Sequence, residues 1–67
     1  MHARFYHPEE ITTGQMIALS AENKHHAARV LRLRKGDPVT LFNGRGGEFC
    51  AQIDSIRKDS IMVLIDS

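Results

Sequence analysis

From Glu48 to Ile56 apolar and polar side chains alternate, with Phe49, Ala51 and Ile53 on one side and Glu48, Cys50, Gln52 and Asp54 on the other. A period of two over that length predicts a strand with one buried face. Shorter stretches read the same way. Arg4-Phe5-Tyr6-His7 predicts a strand halted by Pro8, which lacks an amide donor and fixes its own φ. Glu9 to Gly14 reads as a loop, Gln15 to Leu19 as a second strand, and Val39 to Phe42, entered through Asp37-Pro38, as a third. Asn43-Gly44 marks a turn, since both residues tolerate positive φ, and Arg45-Gly46-Gly47 extends it. Ser60 to Ile65 is apolar on both faces, the pattern of a strand buried under a second layer or against a further surface.

Residues 22–37 break this rhythm. Ser20 is a good N-cap, and Glu22 sits favourably near the positive end of a helix dipole. At about 100° per residue, Asn23, Ala27, Val30 and Leu31 share one side, while His25, Arg29 and Arg32 share the other. His26 lies at the border. The spacing predicts a helix over approximately residues 21–33, with Arg34-Lys35 at its C-terminal end and Gly36 as the C′ residue. Ala27, Val30 and Leu31 are expected to pack inward. Phe5, Tyr6, Phe42 and Phe49 are expected in the core, although Tyr6 beside Arg4 also offers a stacking surface. Five or six short strands with one helix predict a mainly β fold closed into a small barrel.

Length narrows the picture. A chain of 67 residues makes one domain, and a domain this short buries only about 60% of its unfolded surface. Cys50 is the only cysteine, so no disulfide supports the core, and a lone thiol suits a reducing compartment. With no base evident beside it, Cys50 reads as a small buried hydrophobe. Met1 to Pro8 carries no apolar run of the signal-peptide kind. The longest apolar run, Ile61 to Ile65, falls far short of the roughly 20 residues that span a bilayer. The chain is expected to be soluble and cytoplasmic, with no membrane partner.

Charge then singles out one segment. The net charge is +1, yet Lys24, Arg29, Arg32, Arg34 and Lys35 follow one another with no acid between Glu22 and Asp37. Solvated helix faces usually interleave both signs, so an unbroken basic block points to an anionic partner. Guanidinium groups match phosphate oxygens through a planar fork of donors. Arg45, at the tip of the glycine-rich turn, is a further candidate for a phosphate contact. That turn is no nucleotide-binding loop, because its glycines lead into a strand rather than a helix. His25 and His26 point about 100° apart on a helix, and His2, His7 and Cys50 fall on other elements, so no metal site is expected. No catalytic set is evident.

Three blocks carry a resemblance. Arg4-Phe5-Tyr6-His7-Pro8, then His26-x-x-Arg29-Val30-Leu31-Arg32-Leu33 with Gly36-Asp37, then Leu41-Phe42-Asn43-Gly44-x-Gly46-Gly47-x-Phe49-x-Ala51-x-Ile53 resemble the N-terminal domain of the ribosomal RNA small subunit methyltransferase E family. The similarity runs through nearly all of the chain in the same order. It implies a PUA-like β-barrel, residues 1–67, that seats ribosomal RNA. It also implies ribosome biogenesis as the setting, with the small ribosomal subunit as partner. Family members are cytoplasmic homodimers that transfer a methyl group from S-adenosylmethionine to N3 of a uridine in 16S ribosomal RNA. Their cofactor and catalytic residues belong to a C-terminal SPOUT domain, which these 67 residues do not include. The chain alone is therefore expected to bind no cofactor and to be inactive. The RNA-facing residues that match are Arg4, His26, Arg29 and Arg32; Arg34, Lys35 and Arg45 join them on charge and position. Asn43 stands where an Asp is common, which preserves the turn chemistry. The alternative is a docking or dimerisation module without direct RNA contact.

Overall fold

A computed structural model of the chain describes residues 3–66. Its strands are β1 (Ala3–Tyr6), β2 (Met16–Ala18), β3 (Pro38–Phe42), β4 (Glu48–Ile56) and β5 (Ile61–Ile65). Between β2 and β3 lies α1 (Ala21–His25), which runs on into a π-helical turn, His26–Val30. The strands therefore stand where the period-two pattern predicts them.

They form one five-stranded sheet in the order β1-β3-β4-β5-β2. β1 runs parallel to β3, pairing Arg4 with Thr40 and Tyr6 with Phe42, and every other pairing is antiparallel. The expected closure into a barrel is not found: the sheet is open, with β1 and β2 at its edges. The helix explains this. β2 is only three residues long, and at Ser20 the chain leaves the sheet. Asn23 on α1 then donates its Nδ2–H to the Tyr6 carbonyl of β1 at 3.0 Å. A side chain thus satisfies an edge carbonyl that a closing strand would otherwise take.

The core lies on one face of the sheet. Val39 and Leu41 of β3, Ala51 and Ile53 of β4, and Ile61, Val63 and Ile65 of β5 are buried, joined by Phe5 and Ile17 from the edge strands. Ala27 is wholly buried against them from the helical segment. The opposite face of β5 is only half covered, at Met62 and Leu64. Ile11, in the stretch read as a loop, is also buried. The loop is held in place by Gly14 N–H donating to Ile65 O (2.8 Å) and Ile65 N–H to Gln15 O (3.0 Å).

The expectations for the end of the helical segment fail for one reason. Val30 and Leu31 do not pack inward; they are 61% and 39% exposed. The helix also ends before residue 33. Its last turn is widened, with Leu31 N–H donating to His26 O at 3.0 Å, five residues back. Widening rotates the side chains after Ala27 away from their α-helical directions. The chain then reverses at Arg32, the one non-glycine residue with positive φ (52°) among those described, and Leu33 N–H closes the end onto Ala27 O at 3.0 Å. Arg32 takes the left-handed position expected of Gly36. Gly36 (φ 90°) serves a second turn, where its N–H reaches Ile53 O at 2.8 Å. Cys50 is exposed on the outer face of β4, not buried, because it is out of phase with Ala51 and Ile53. Of the four aromatics expected in the core only Phe5 is fully buried; Phe49 packs in part against the core, Phe42 is half-buried and Tyr6 is exposed.

Ser20 caps the helix as expected, its Oγ accepting from Asn23 N–H at 3.1 Å. Ser20→Ala should lower stability by about 1 kcal/mol, and Ser20→Asp should nearly restore it. Urea unfolding of the three chains measures this, and equal midpoints for all three would show that the cap contributes nothing.

Candidate nucleic-acid interface

The seven sequence-predicted residues fall into three groups. The first lies at the end of the helical segment. Arg29 stands in the widened turn, Arg32 in the left-handed position, and Arg34 and Lys35 in the turn that follows; all four are exposed. Local hydrogen bonds set that turn. Asp37 Oδ2 accepts from Arg34 N–H at 2.7 Å, and Asp37 N–H returns to Arg34 O at 3.0 Å. Its partner on the sheet is Ile53, whose N–H donates to Asp37 O at 2.9 Å. The four cations are thereby carried past the start of β3, and among the described residues none of them is in an ion pair.

The second group sits at the other end of β3, roughly 17 Å away along a five-residue strand. Arg45 is at the tip of the β3–β4 loop. Asn43 Oδ1 accepts there from Arg45 N–H (2.9 Å) and Gly47 N–H (3.3 Å), the job an Asp would also do. Gly44 has φ 77°, a conformation that favours glycine, and a Cβ there would stand 3.1 Å from the Tyr6 ring, close enough to push that exposed side chain aside. Arg4 lies on the outer face of β1. Its guanidinium stacks over Phe42 at 5.1 Å from the ring centroid and meets Glu48 Oε2 at 2.7 Å. Tyr6 joins Phe42 with ring centroids 5.6 Å apart. This outer face is an Arg–Phe–Tyr platform, which the spacing of Arg4 and Tyr6 foreshadowed. Arg4 is not a free cation, however; a phosphate would compete with Glu48 for it. A half-exposed pair of this kind contributes about 0.2–1 kcal/mol, so exchange is cheap.

His26 forms the third group alone. It is exposed, and its ring meets the edge of the buried Phe5 ring at a centroid distance of 6.3 Å. His26 therefore joins the helical segment to β1 rather than standing with the arginines. Among the described residues no three of His, Cys, Asp and Glu come together as a metal site would need, and His2 lies outside them.

Sequence reasoning missed one cluster. Lys24 and Arg29 from the helical segment face Arg57 and Lys58 from the β4–β5 turn across a shallow cleft of about 240 Å³. No periodicity links residue 24 to residue 58. Only the basic pair itself was visible in the sequence.

Comparison with known proteins agrees with this architecture. Residues 19–66 match the family described as RNA methyltransferase PUA domain. Ribosomal RNA small subunit methyltransferase E of Rickettsia conorii is 38% identical over 61 residues, which cover 90% of this chain and 25% of that protein. The Buchnera aphidicola protein of the same name is 33% identical over 60 residues, 90% of this chain and 24% of its own length. The chain thus spans about a quarter of the length of the curated relatives it matches. Among solved structures, a methyltransferase from Legionella pneumophila in complex with SAM superposes with a TM-score of 0.94 at 40% identity, over 100% of this chain and 28% of that one. Ribosomal RNA small subunit methyltransferase E from Neisseria gonorrhoeae, bound to S-adenosyl methionine, superposes with a TM-score of 0.88 at 32% identity, over 97% and 27%. The chain belongs to the RNA methyltransferase PUA domain family and aligns with the ribosomal RNA small subunit methyltransferase E proteins.

Proposed function

We propose that this chain is the RNA-seating domain of a cytoplasmic enzyme that methylates N3 of a uridine in 16S ribosomal RNA. In this reading the chain holds the RNA backbone of the small ribosomal subunit. A SPOUT domain binds S-adenosylmethionine and performs the transfer, and the whole protein acts as a homodimer. The RNA-facing residues are Arg29, Arg32, Arg34 and Lys35 at the end of the helical segment, Arg4 and Arg45 around the β3–β4 loop, and His26 between them.

One observation carries the reading. The four cations from Arg29 to Lys35 are exposed and, among the described residues, have no acidic partner, so their charge is available to phosphates. The Arg4–Phe42–Tyr6 platform adds a surface on which an unstacked base can lie. The two outer groups are separated by about the span of β3, which several nucleotides of one strand bridge.

The test is a titration of the 67-residue chain with a fluorescent single-stranded segment of small-subunit ribosomal RNA at several salt concentrations. Binding should weaken steeply as salt rises, because each phosphate contact releases counterions. The same chain mixed with radiolabelled S-adenosylmethionine and that RNA should transfer no methyl group. Salt-independent or undetectable binding would remove the RNA role, and methyl transfer by the chain alone would overturn its assignment as a non-catalytic module. The first of those outcomes would favour a docking or dimerisation module, a role to which the exposed side chains of Val30 and Leu31 are suited.

A further inference from the structure

The cleft between the helical segment and the β4–β5 turn has an unusual charge balance. Lys24, Arg29, Arg57 and Lys58 line it together with His25, and no carboxylate does. Lys24 Nζ donates to the backbone carbonyl of Asp59 at 3.2 Å, which clamps the helix to the turn and sets the width of the opening. The turn is itself closed by Arg57 N–H donating to Ser60 O at 2.8 Å. Among the described residues no carboxylate lies within ion-pair distance of the four cleft cations, so none of them is neutralised. Four like charges around one opening repel one another, and an anion between them relieves that repulsion.

Size and lining narrow the ligand. At about 240 Å³ the cleft is smaller than the roughly 300–1,000 Å³ of ordinary small-molecule pockets, so it suits one group on a longer chain. Ile56, 44% exposed beside the cations, gives the floor an apolar strip. An anion flanked by a compact, partly apolar body fits both features. A nucleotide unit of single-stranded RNA has that form, with its phosphate carrying the charge and its ribose the bulk.

We propose that this cleft is a second RNA contact, in which Lys24, Arg29, Arg57 and Lys58 hold a backbone phosphate and Ile56 supports the adjoining ribose. The inference rests on the RNA-binding reading and adds a site apart from the turn at Arg32 to Lys35 and from the β3–β4 loop. Arg29 is common to both, so a single strand leaving the cleft passes onto the other cations of the helix end. The site lies on the same side of the helical segment as His25.

The experiment uses the same RNA titration with variants outside the residues predicted from sequence. Arg57→Ala combined with Lys58→Ala should flatten the salt dependence by about 0.7 in slope, the share of one phosphate on a single strand, and weaken binding about 5-fold at 0.1 M salt. Lys24→Gln, on the other wall, should flatten it in the same direction by less than about 0.7, and Arg57→Lys with Lys58→Arg should retain the wild-type slope. Both turn residues are exposed, and far-UV circular dichroism confirms folding; Lys24→Gln gives an independent answer should the turn variant unfold. Wild-type binding with an unchanged slope in both neutralising variants would overturn the cleft while leaving the helix-end contacts intact. Salt-independent binding of the wild type would remove the RNA reading and the cleft with it.

Discussion

Leu41→Ala should remove a large share of the chain's stability at 25 °C. Leu41, the fourth of the five residues of β3, has 0% exposure and is paired to Phe5 on one side and Phe49 on the other. Removing a buried leucine side chain costs about 2–5 kcal/mol, the transfer term plus the cavity left where neighbours cannot collapse. The neighbours here are β-strand residues fixed by ladders on both sides of β3, so little relaxation is open to them. A 67-residue domain without a cross-link has roughly 3–10 kcal/mol in total, at 0.05–0.15 kcal/mol per residue. At the lower end of that range this one change is enough to unfold the chain. Circular dichroism along a urea series checks it: the wild type should show a cooperative transition, and the variant a pre-transition baseline that is short or missing. A loss below 1 kcal/mol would mean that the inner face of the sheet is loosely packed. Val30→Ala is the natural contrast, since Val30 is 61% exposed and its truncation should change stability by less than about 0.5 kcal/mol.

Removing the helix-end cations should have an effect of similar size on binding and almost none on folding. With Arg29, Arg32, Arg34 and Lys35 all replaced by alanine, four phosphate contacts are lost at about 0.7 in salt slope each on a single strand. The slope should therefore fall by about 2.8, and affinity at 0.1 M salt by about 600-fold, near 4 kcal/mol. All four side chains are exposed, so the core is untouched. Arg32 is a special case because its φ of 52° is unfavourable for a residue with a Cβ, by roughly 1 kcal/mol or more. Arg32→Gly should thus raise stability while lowering RNA affinity, a split that separates the side chain's charge from its backbone duty. A quadruple variant that keeps the wild-type salt slope would place the RNA elsewhere. An Arg32→Gly chain no more stable than wild type would show that the turn imposes no strain.

The strands were legible because their chemistry is local. Alternation from Glu48 to Ile56 needs only the pleat to put Ala51 and Ile53 on one face, and Ser20 needs only the first orphan amides of a helix to become a cap. The three blocks shared with ribosomal RNA methyltransferases follow these same strands and turns, and so family membership was readable as well. Periodicity failed at the end of the helical segment. It assumes 3.6 residues per turn, and the widened turn at His26–Val30 breaks that assumption, exposing Val30 and Leu31 and moving the left-handed residue from Gly36 to Arg32.

By itself the sequence determined the strands, the inner face of β4 and the basic block, because each depends on residues close together in the chain. Tertiary structure alone decided that the sheet stays open, since that turns on Asn23 of the helix reaching Tyr6 of an edge strand. It also decided that Arg4 is paired with Glu48, and that Lys24 and Arg29 share a cleft with Arg57 and Lys58. Charge density along a chain is a one-dimensional quantity. The field an RNA phosphate meets is set by distances across the fold, and those exist only once the helix has been laid against the β4–β5 turn.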